Sequence, residues 1–221
     1  MTEIKDLFDL SKTIAAGLFE GKRYPWECLG EIKSFILELG PTLPEDEYDN
    51  ISEGVWVAKD AKVFPSAYLG SPCIIDHGAE VRHCAFIRGS AIVGKNAVVG
   101  NSVELKNAIL FDNVQTPHYN YVGDSILGYK AHMGAGSITS NVKSDKTLVV
   151  VKEGEEKAET GLKKFGAMLG DNVEVGCNSV LNPGTVVGRN TNIYPVSCVR
   201  GVIPANSIYK NKQETVLKEE L

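Results

Sequence analysis

Residues 81–105 read VRHCAFIRGSAIVGKNAVVGNSVEL, with an aliphatic residue at every sixth place: Val81, Ile87, Val93, Val99 and Leu105. The series extends backward without a miss through Ile75, Leu69, Val63 and Val57. Four places after each member comes a small or apolar residue: Ala61, Ala67, Cys73, Ala79, Ala85, Ala91, Ala97, Val103 and Ile109 in turn. Neither the helical period nor the two-residue period of a strand generates a period of six. A six-residue unit with one inward aliphatic and one inward small side chain is a short strand plus a turn. Three such units close a triangular coil, which buries its apolar edge only by stacking on the next coil. The expected fold is therefore all-β, a parallel β-helix; a β-sandwich of alternating strands would have to produce the in-register hexads by chance.

Working outward, the hexad sets the organisation: a β-helical domain over residues 51–209, interrupted at 140–167. The repeat runs from Val57 to Thr139 and resumes at Leu169 with Val175, Leu181, Val187, Ile193 and Val199, each six apart. The interruption carries KSDKTLVVVKEGEEKAETGLKK, a short β-rich run followed by a charged, exposed segment, and insertions in solenoids project from one face. Residues 1–50 lack the hexad and show helical spacing: Leu7, Leu10, Ile14 and Leu18, then Trp26, Leu29, Ile32, Ile36 and Leu37. Pro25 opens the second stretch and Gly40-Pro41 ends it. The expectation is an N-terminal α-helical cap over the first coil, closing its open strand edges and core. Residues 210–221 are charged with a helical leaning, a tail expected to pack on the outside of the coils.

Composition narrows the function classes. The chain has 221 residues, 43% hydrophobic and 23% charged, with net charge −5, no apolar run long enough to span a bilayer and no charged-then-apolar leader over Met1 to Glu20. A cytoplasmic protein with no membrane partner is expected, and the mild acidity gives no basic face for nucleic acid. Five cysteines with no CxxC spacing fit neither a disulfide framework nor a zinc knuckle. Cys73 occupies an inward repeat position.

The repeat also serves as a ruler. Side chains eighteen residues apart stack at one corner, about 4.8 Å apart. Arg88 and Lys106 stand in that relation, just after the inward aliphatic, with Gly70 one coil earlier and no acidic residue between them. Like charges at that distance repel by roughly 1–3 kcal/mol, so an anion such as phosphate is the expected compensator. The rhythm changes over Leu105, Leu110, Thr116, Val122, Leu127, Met133 and Thr139, which step by 5, 6, 6, 5, 6 and 6. Shortened steps mark a locally reshaped corner, and between them lies Pro117-His118-Tyr119-Asn120-Tyr121-Val122-Gly123-Asp124. An outward histidine there, partly neutral at cytoplasmic pH, has the chemistry of a general base.

The string His118 to Asp124, followed by Met133-Gly134-Ala135-Gly136-Ser137-Ile138-Thr139-Ser140-Asn141, resembles the acetyltransferase domain of the bifunctional bacterial N-acetylglucosamine-1-phosphate uridyltransferase/glucosamine-1-phosphate acetyltransferase and its archaeal sugar-1-phosphate relatives. The resemblance covers about residues 81–212 and implies a left-handed β-helix of the hexapeptide-repeat type. It implies His118 as the base that takes a proton from the sugar amine attacking the thioester of acetyl-CoA. It assigns the substrate phosphate to Arg88 and Lys106, as their stacking does, and the sugar to Tyr121 and Asn141. His132 stands where the family has an asparagine, which leaves the sugar open, and the family's loop lysine has only Lys143 or Lys146 as counterpart. On the coenzyme side Ala135 matches, while Cys177 replaces a serine, Pro195 an alanine and Lys212 an arginine, keeping charge without the planar fork. A homotrimer with active sites between subunits is implied, with no metal required.

Nothing in Met1 to Asn50 resembles the glycine-rich loop of the nucleotidyltransferase domain found in the bifunctional relatives, so no nucleotidyltransferase activity is expected. Two alternatives remain. One is a catalytically silent solenoid that binds sugar phosphates. The other is a trimeric metal-dependent enzyme of the γ-carbonic anhydrase type, suggested by His83 and His118 at a separation of 35, although Val122 and Gly123 occupy the place of its third ligand.

Overall fold

The inward hexad positions form the axis of the molecule. Ile75, Val81, Ile87, Val93, Val99 and Leu105 are fully buried, as are Cys73, Ala79, Ala91 and Ala97. The computed structural model describes residues 1–210. Its strands stack in parallel register into the three faces of a triangular prism, the left-handed parallel β-helix expected. The first face contains Val55–Ala58, Cys73–Ile75, Ala91–Val93, the second halves of Glu104–Leu110 and Tyr121–Leu127, then Ala167–Leu169 and Thr185–Val187. The second face is an eight-stranded sheet from Lys62–Val63 to Ile208–Tyr209 that includes Gln115–His118 and His132–Met133. The third holds Tyr68–Leu69, Phe86–Ile87, the first halves of the two long strands, Ile138–Thr139, Val180–Leu181 and Cys198–Val199. Desolvation in this core pushes the Cys73 thiol up to about 12, consistent with a small inward hydrophobe.

The shortened steps fall on the corner between the third and first faces, not on the corner carrying His118. A five-residue unit lacks one turn residue, so Glu104–Leu110 and Tyr121–Leu127 each run as one strand through both faces. Each bends at a residue of positive φ, Asn107 at 49° and Asp124 at 48°. The same slip corrects one core assignment. Ala108, in register with Ala91, takes the small inward place, and Ile109, beside Ile92, points outward.

The N-terminal segment is not a cap over the first coil. Its α-helical content is confined to Ile4–Leu7 and Ile32–Leu39, and 3-10 turns occupy Leu10–Lys12, Ala16–Phe19, Pro25–Cys28 and Gly40–Thr42. It runs along the side of the prism over the first face. Asp171 N–H donates to Leu7 O (2.9 Å) and Asp112 N–H to Lys12 O (3.0 Å), while Asn107 Nδ2 donates to Leu29 O (3.0 Å). Phe8 packs on Phe111 with centroids 5.0 Å apart, and Gly40 lies so close to the Trp56 indole that a side chain there would collide with it. The physical reason is an outward apolar column. Ile74, Ile92, Ile109, Ile126 and Met168 lie between inward neighbours and are nevertheless fully buried, because the segment covers them. The free edge of Val55–Ala58 is paired by the antiparallel strand Tyr48–Ser52.

The interruption folds as a hairpin of Val150–Glu153 against Glu156–Glu159. Phe165, fully buried against Trp26, returns the chain to the coils, its N–H donating to Asn141 O at 3.0 Å. The expected tail and Lys212 lie outside the described residues. Among the described residues no helix is long and apolar enough to cross a membrane.

Candidate active site

Arg88 and Lys106 stack as their spacing requires. Arg88 N–H donates to Leu105 O at 2.8 Å and Gly70 N–H to Ile87 O at 2.7 Å, so the three residues form one column at the corner between third and first faces. A side chain at Gly70 would strike the backbone of Arg88. The expectation that no carboxylate compensates the two cations is wrong. Arg88 Nη1 lies 2.8 Å from Glu104 Oε1, and Lys106 Nζ lies 3.2 and 3.1 Å from the two oxygens of Asp124. The ruler misses Glu104 but, carried one coil past Lys106, reaches Asp124. Glu104 sits two places earlier on the same strand, and the five-residue step sets Gly123 opposite Lys106, which brings Asp124 alongside.

Asp124 is the hub of this corner and its carboxylate is almost fully buried, at 6% exposure. Besides Lys106 it accepts from Asn107 Nδ2 (3.0 Å) and Asn141 Nδ2 (2.5 Å). Asn141 Nδ2 also reaches the Tyr121 hydroxyl at 3.1 Å. A side chain at Gly123 would meet that hydroxyl and push the Tyr121 ring aside. Burial, followed by the charges of Asp124 and Glu104, raises the Tyr121 pKa, so the phenol stays protonated at neutral pH. The structure thus brings Arg88, Lys106, Tyr121 and Asn141 together around a carboxylate that the sequence reading quoted but gave no role. The cations border a 410 Å³ cavity whose wall also includes Ser90, Asn107 and Asp124 and, from the helix Ile32–Leu39, Lys33. Lys33 belongs to no hexad, and no repeat-based signal pointed to it.

The second group gathers elsewhere. At the corner between second and third faces, Gly136 N–H donates to His118 O (3.0 Å), Asn178 N–H to Ala135 O (2.9 Å) and Val196 N–H to Cys177 O (2.9 Å). Parallel pairing therefore stacks His118, Ala135, Cys177 and Pro195 in one ladder. His118 is exposed, and the corner is braced by the buried Asn120, whose Nδ2 donates to Gly134 O (2.8 Å) and whose Oδ1 accepts from His118 N–H (3.2 Å). Tyr119 beside it is 63% exposed and Val196 72%. His118 lies at the opposite edge of the third face from the cations.

His132 does not join the cations within this chain. It faces outward from the second face, in register with Gln115, its Nδ1 2.7 Å from Glu174 Oε2. Lys143 is held in its own loop by Asp145 at 3.3 Å. Val122, one of the places for a third metal ligand, is buried in the core, and Gly123 lies beneath the Tyr121 ring. No group of three or more His, Cys, Asp or Glu among the described residues is arranged to hold a metal ion.

Comparison with known proteins adds family to geometry. The family described as GMPPB C-terminal domain matches residues 69–187, more than half of the chain. The bifunctional protein GlmU of Methanococcus aeolicus is 35% identical over 113 residues, 51% of this chain and 27% of that protein. The bifunctional sugar-1-phosphate nucleotidylyltransferase/acetyltransferase of Sulfurisphaera tokodaii is 30% identical over 105 residues, 48% of this chain and 26% of that protein. The matched region thus spans about a quarter of the length of these curated relatives. Among solved structures, the polySia-specific acetyltransferase NeuO aligns with a TM-score of 0.45 at 12% identity, covering 73% of this chain and 85% of that one. The chain belongs to the family of the GMPPB C-terminal domain.

Proposed function

We propose that the chain is an acetyl-CoA-dependent N-acetyltransferase acting on a hexosamine-1-phosphate or a related phosphorylated or nucleotide-linked amino sugar. The observation that carries this reading is the pair of corners bounding the bare third face. One is the corner where Arg88 and Lys106 border a cavity and Tyr121 and Asn141 gather beside Asp124, and the other is a ladder with exposed His118 at its head. The similarity to the bifunctional protein GlmU and to a bifunctional sugar-1-phosphate nucleotidylyltransferase/acetyltransferase supports it.

In this mechanism Arg88 and Lys106 hold the substrate phosphate while Tyr121 and Asn141 orient the sugar. Acetyl-CoA lies along Ala135, Cys177 and Pro195, and the resemblance alone gives its phosphates to Lys212, which lies outside the described residues. The amine nitrogen attacks the thioester carbonyl carbon and loses a proton to His118, the C–S bond breaks, and the coenzyme A thiolate takes that proton back from the imidazolium to leave as the thiol. Most of the acceleration is positioning, and the base contributes about 10²-fold to 10⁴-fold. Because His118 and His132 lie toward the second face and the cations toward the first, we place the complete site between protomers of a homotrimer: His118 and His132 of one subunit meet the cationic corner of the next. Such an enzyme works in the cytoplasm and requires no metal for acyl transfer.

The test is thiol release from acetyl-CoA with glucosamine-1-phosphate, galactosamine-1-phosphate and nucleotide-linked amino sugars as acceptors. Acceptor-dependent release that falls at least about 100-fold in His118→Ala is the expected result. Phosphate binding without thiol release for any acceptor would leave a binding-only solenoid in place of the enzyme.

A further inference from the structure

The charge balance at the cationic corner does not by itself attract an anion. Arg88 with Glu104 and Lys106 with Asp124 form two ion pairs whose formal sum is zero. An arriving phosphate would meet both carboxylates along with both cations. The group that tips the balance comes from outside the β-helix. Lys33, on the helix Ile32–Leu39, lines the same cavity and forms no ion pair among the described residues. We propose that Lys33 is the third phosphoryl ligand and the source of the cavity's net positive charge, so that the lateral cover is part of the substrate site and not only a lid over apolar surface. This rests on the reading that the cavity holds the anionic part of the substrate.

Three further observations support the assignment. The helix is fixed relative to the cavity, since Ile32 and Ile36 on its inner side are fully buried. The chain just before it is tied to the cluster through Asn107, whose Nδ2 donates both to Leu29 O and to Asp124 Oδ1, at 3.0 Å each. Lys33 is itself exposed, so its ammonium is free to turn toward a ligand without desolvation in the empty cavity. With the sum of charges at plus one, the chemistry recognised is a phosphoryl anion, either a terminal phosphate monoester or the diphosphate of a nucleotide-linked sugar.

Calorimetric titration of the full chain with inorganic phosphate and with pyrophosphate, without acetyl-CoA, tests this. Lys33→Ala should weaken binding about tenfold at low ionic strength and flatten its dependence on salt, Lys33→Glu should weaken it further, and Lys33→Arg should stay within about threefold of the parent. Unchanged thermal unfolding of Lys33→Ala shows that the cover is still docked. Repeating the titration with glucosamine-1-phosphate and with a uridine diphosphate-linked amino sugar separates the two sources, the loss appearing with the one the cavity holds. Binding within twofold of the parent in both Lys33→Ala and Lys33→Glu, for every anion, would overturn the inference. A chain that binds phosphate through Lys33 yet transfers no acetyl group would sink the proposed activity and leave this inference standing.

Discussion

The first and third faces of the prism come from the same repeat, bury the same kinds of inward side chain, and differ in what they show outward. On the first face the outward column is Ile74, Ile92, Ile109, Ile126 and Met168, all sealed beneath the N-terminal segment. On the third it is Tyr68, Phe86, Glu104, Tyr121, Ile138, Val180 and Cys198, with Tyr68 60% and Phe86 44% exposed. One face is completed by its own chain. The other is left uncovered by the described residues and is flanked by both candidate corners, so it is the side to which the proposed function assigns the ligand and a second copy of the chain. The hexad decides that a coil forms; the residue between two inward positions decides what the coil is for.

The sharpest way to break this contrast is to truncate one outward residue on each face. Ile92→Ala opens a cavity under the cover and should cost about 2–5 kcal/mol in urea denaturation, whereas Val180→Ala should stay within about 0.5 kcal/mol. Equal losses would mean that the cover does not pack as described.

A smaller effect is expected where the cover joins the first coils. Burial and the adjacent Asp76 carboxylate raise the Tyr48 phenol well above its ordinary value, and its hydroxyl donates to Asp76 Oδ1 at 2.5 Å. In the unfolded chain that phenol titrates near 10, so the folded state holds its proton to higher pH. The stability it contributes is therefore complete below about pH 10 and lost as pH rises from there through the folded pKa. Tyr48→Phe should cost about 1–2 kcal/mol at pH 8 and lose less than the parent between pH 8 and pH 11. Parallel losses in the two proteins would show that the phenol is not held this way.

Much of this architecture was legible before any coordinates. The hexad located the core, the eighteen-residue ruler placed Arg88 on Lys106, and the motif strings marked Tyr121, Asn141 and His118. What escaped has identifiable causes. The apolar residues at 74, 92, 109, 126 and 168 carried the signal for a lateral cover, but a reading tuned to inward positions passes over the residue between them. Ile109 was misplaced because a five-residue step moves the inward small residue to Ala108. Glu104 is missed as a partner because it stands two places off the stacked column, Asp124 because the column is followed no further than Lys106 although the next step of eighteen reaches it, and Lys33 because a contact between a helix and a distant corner leaves no periodic trace. The resemblance brings both His132 and Arg88 to the substrate, yet the fold puts them on different sides of the prism, a separation that the motif strings do not carry.

The central claim is that His118 of one protomer serves the cations of another, and subunit mixing tests it most directly. Arg88→Ala and His118→Ala, each inactive in thiol release, are unfolded together, refolded as a mixture and assayed. Random assembly into trimers leaves about one interface in four with both an intact histidine corner and an intact cationic corner, so activity should return to about a quarter of the parent value. If the mixture stays as inactive as its two components while forming the same oligomer as the parent, the site lies within one chain and the account is wrong.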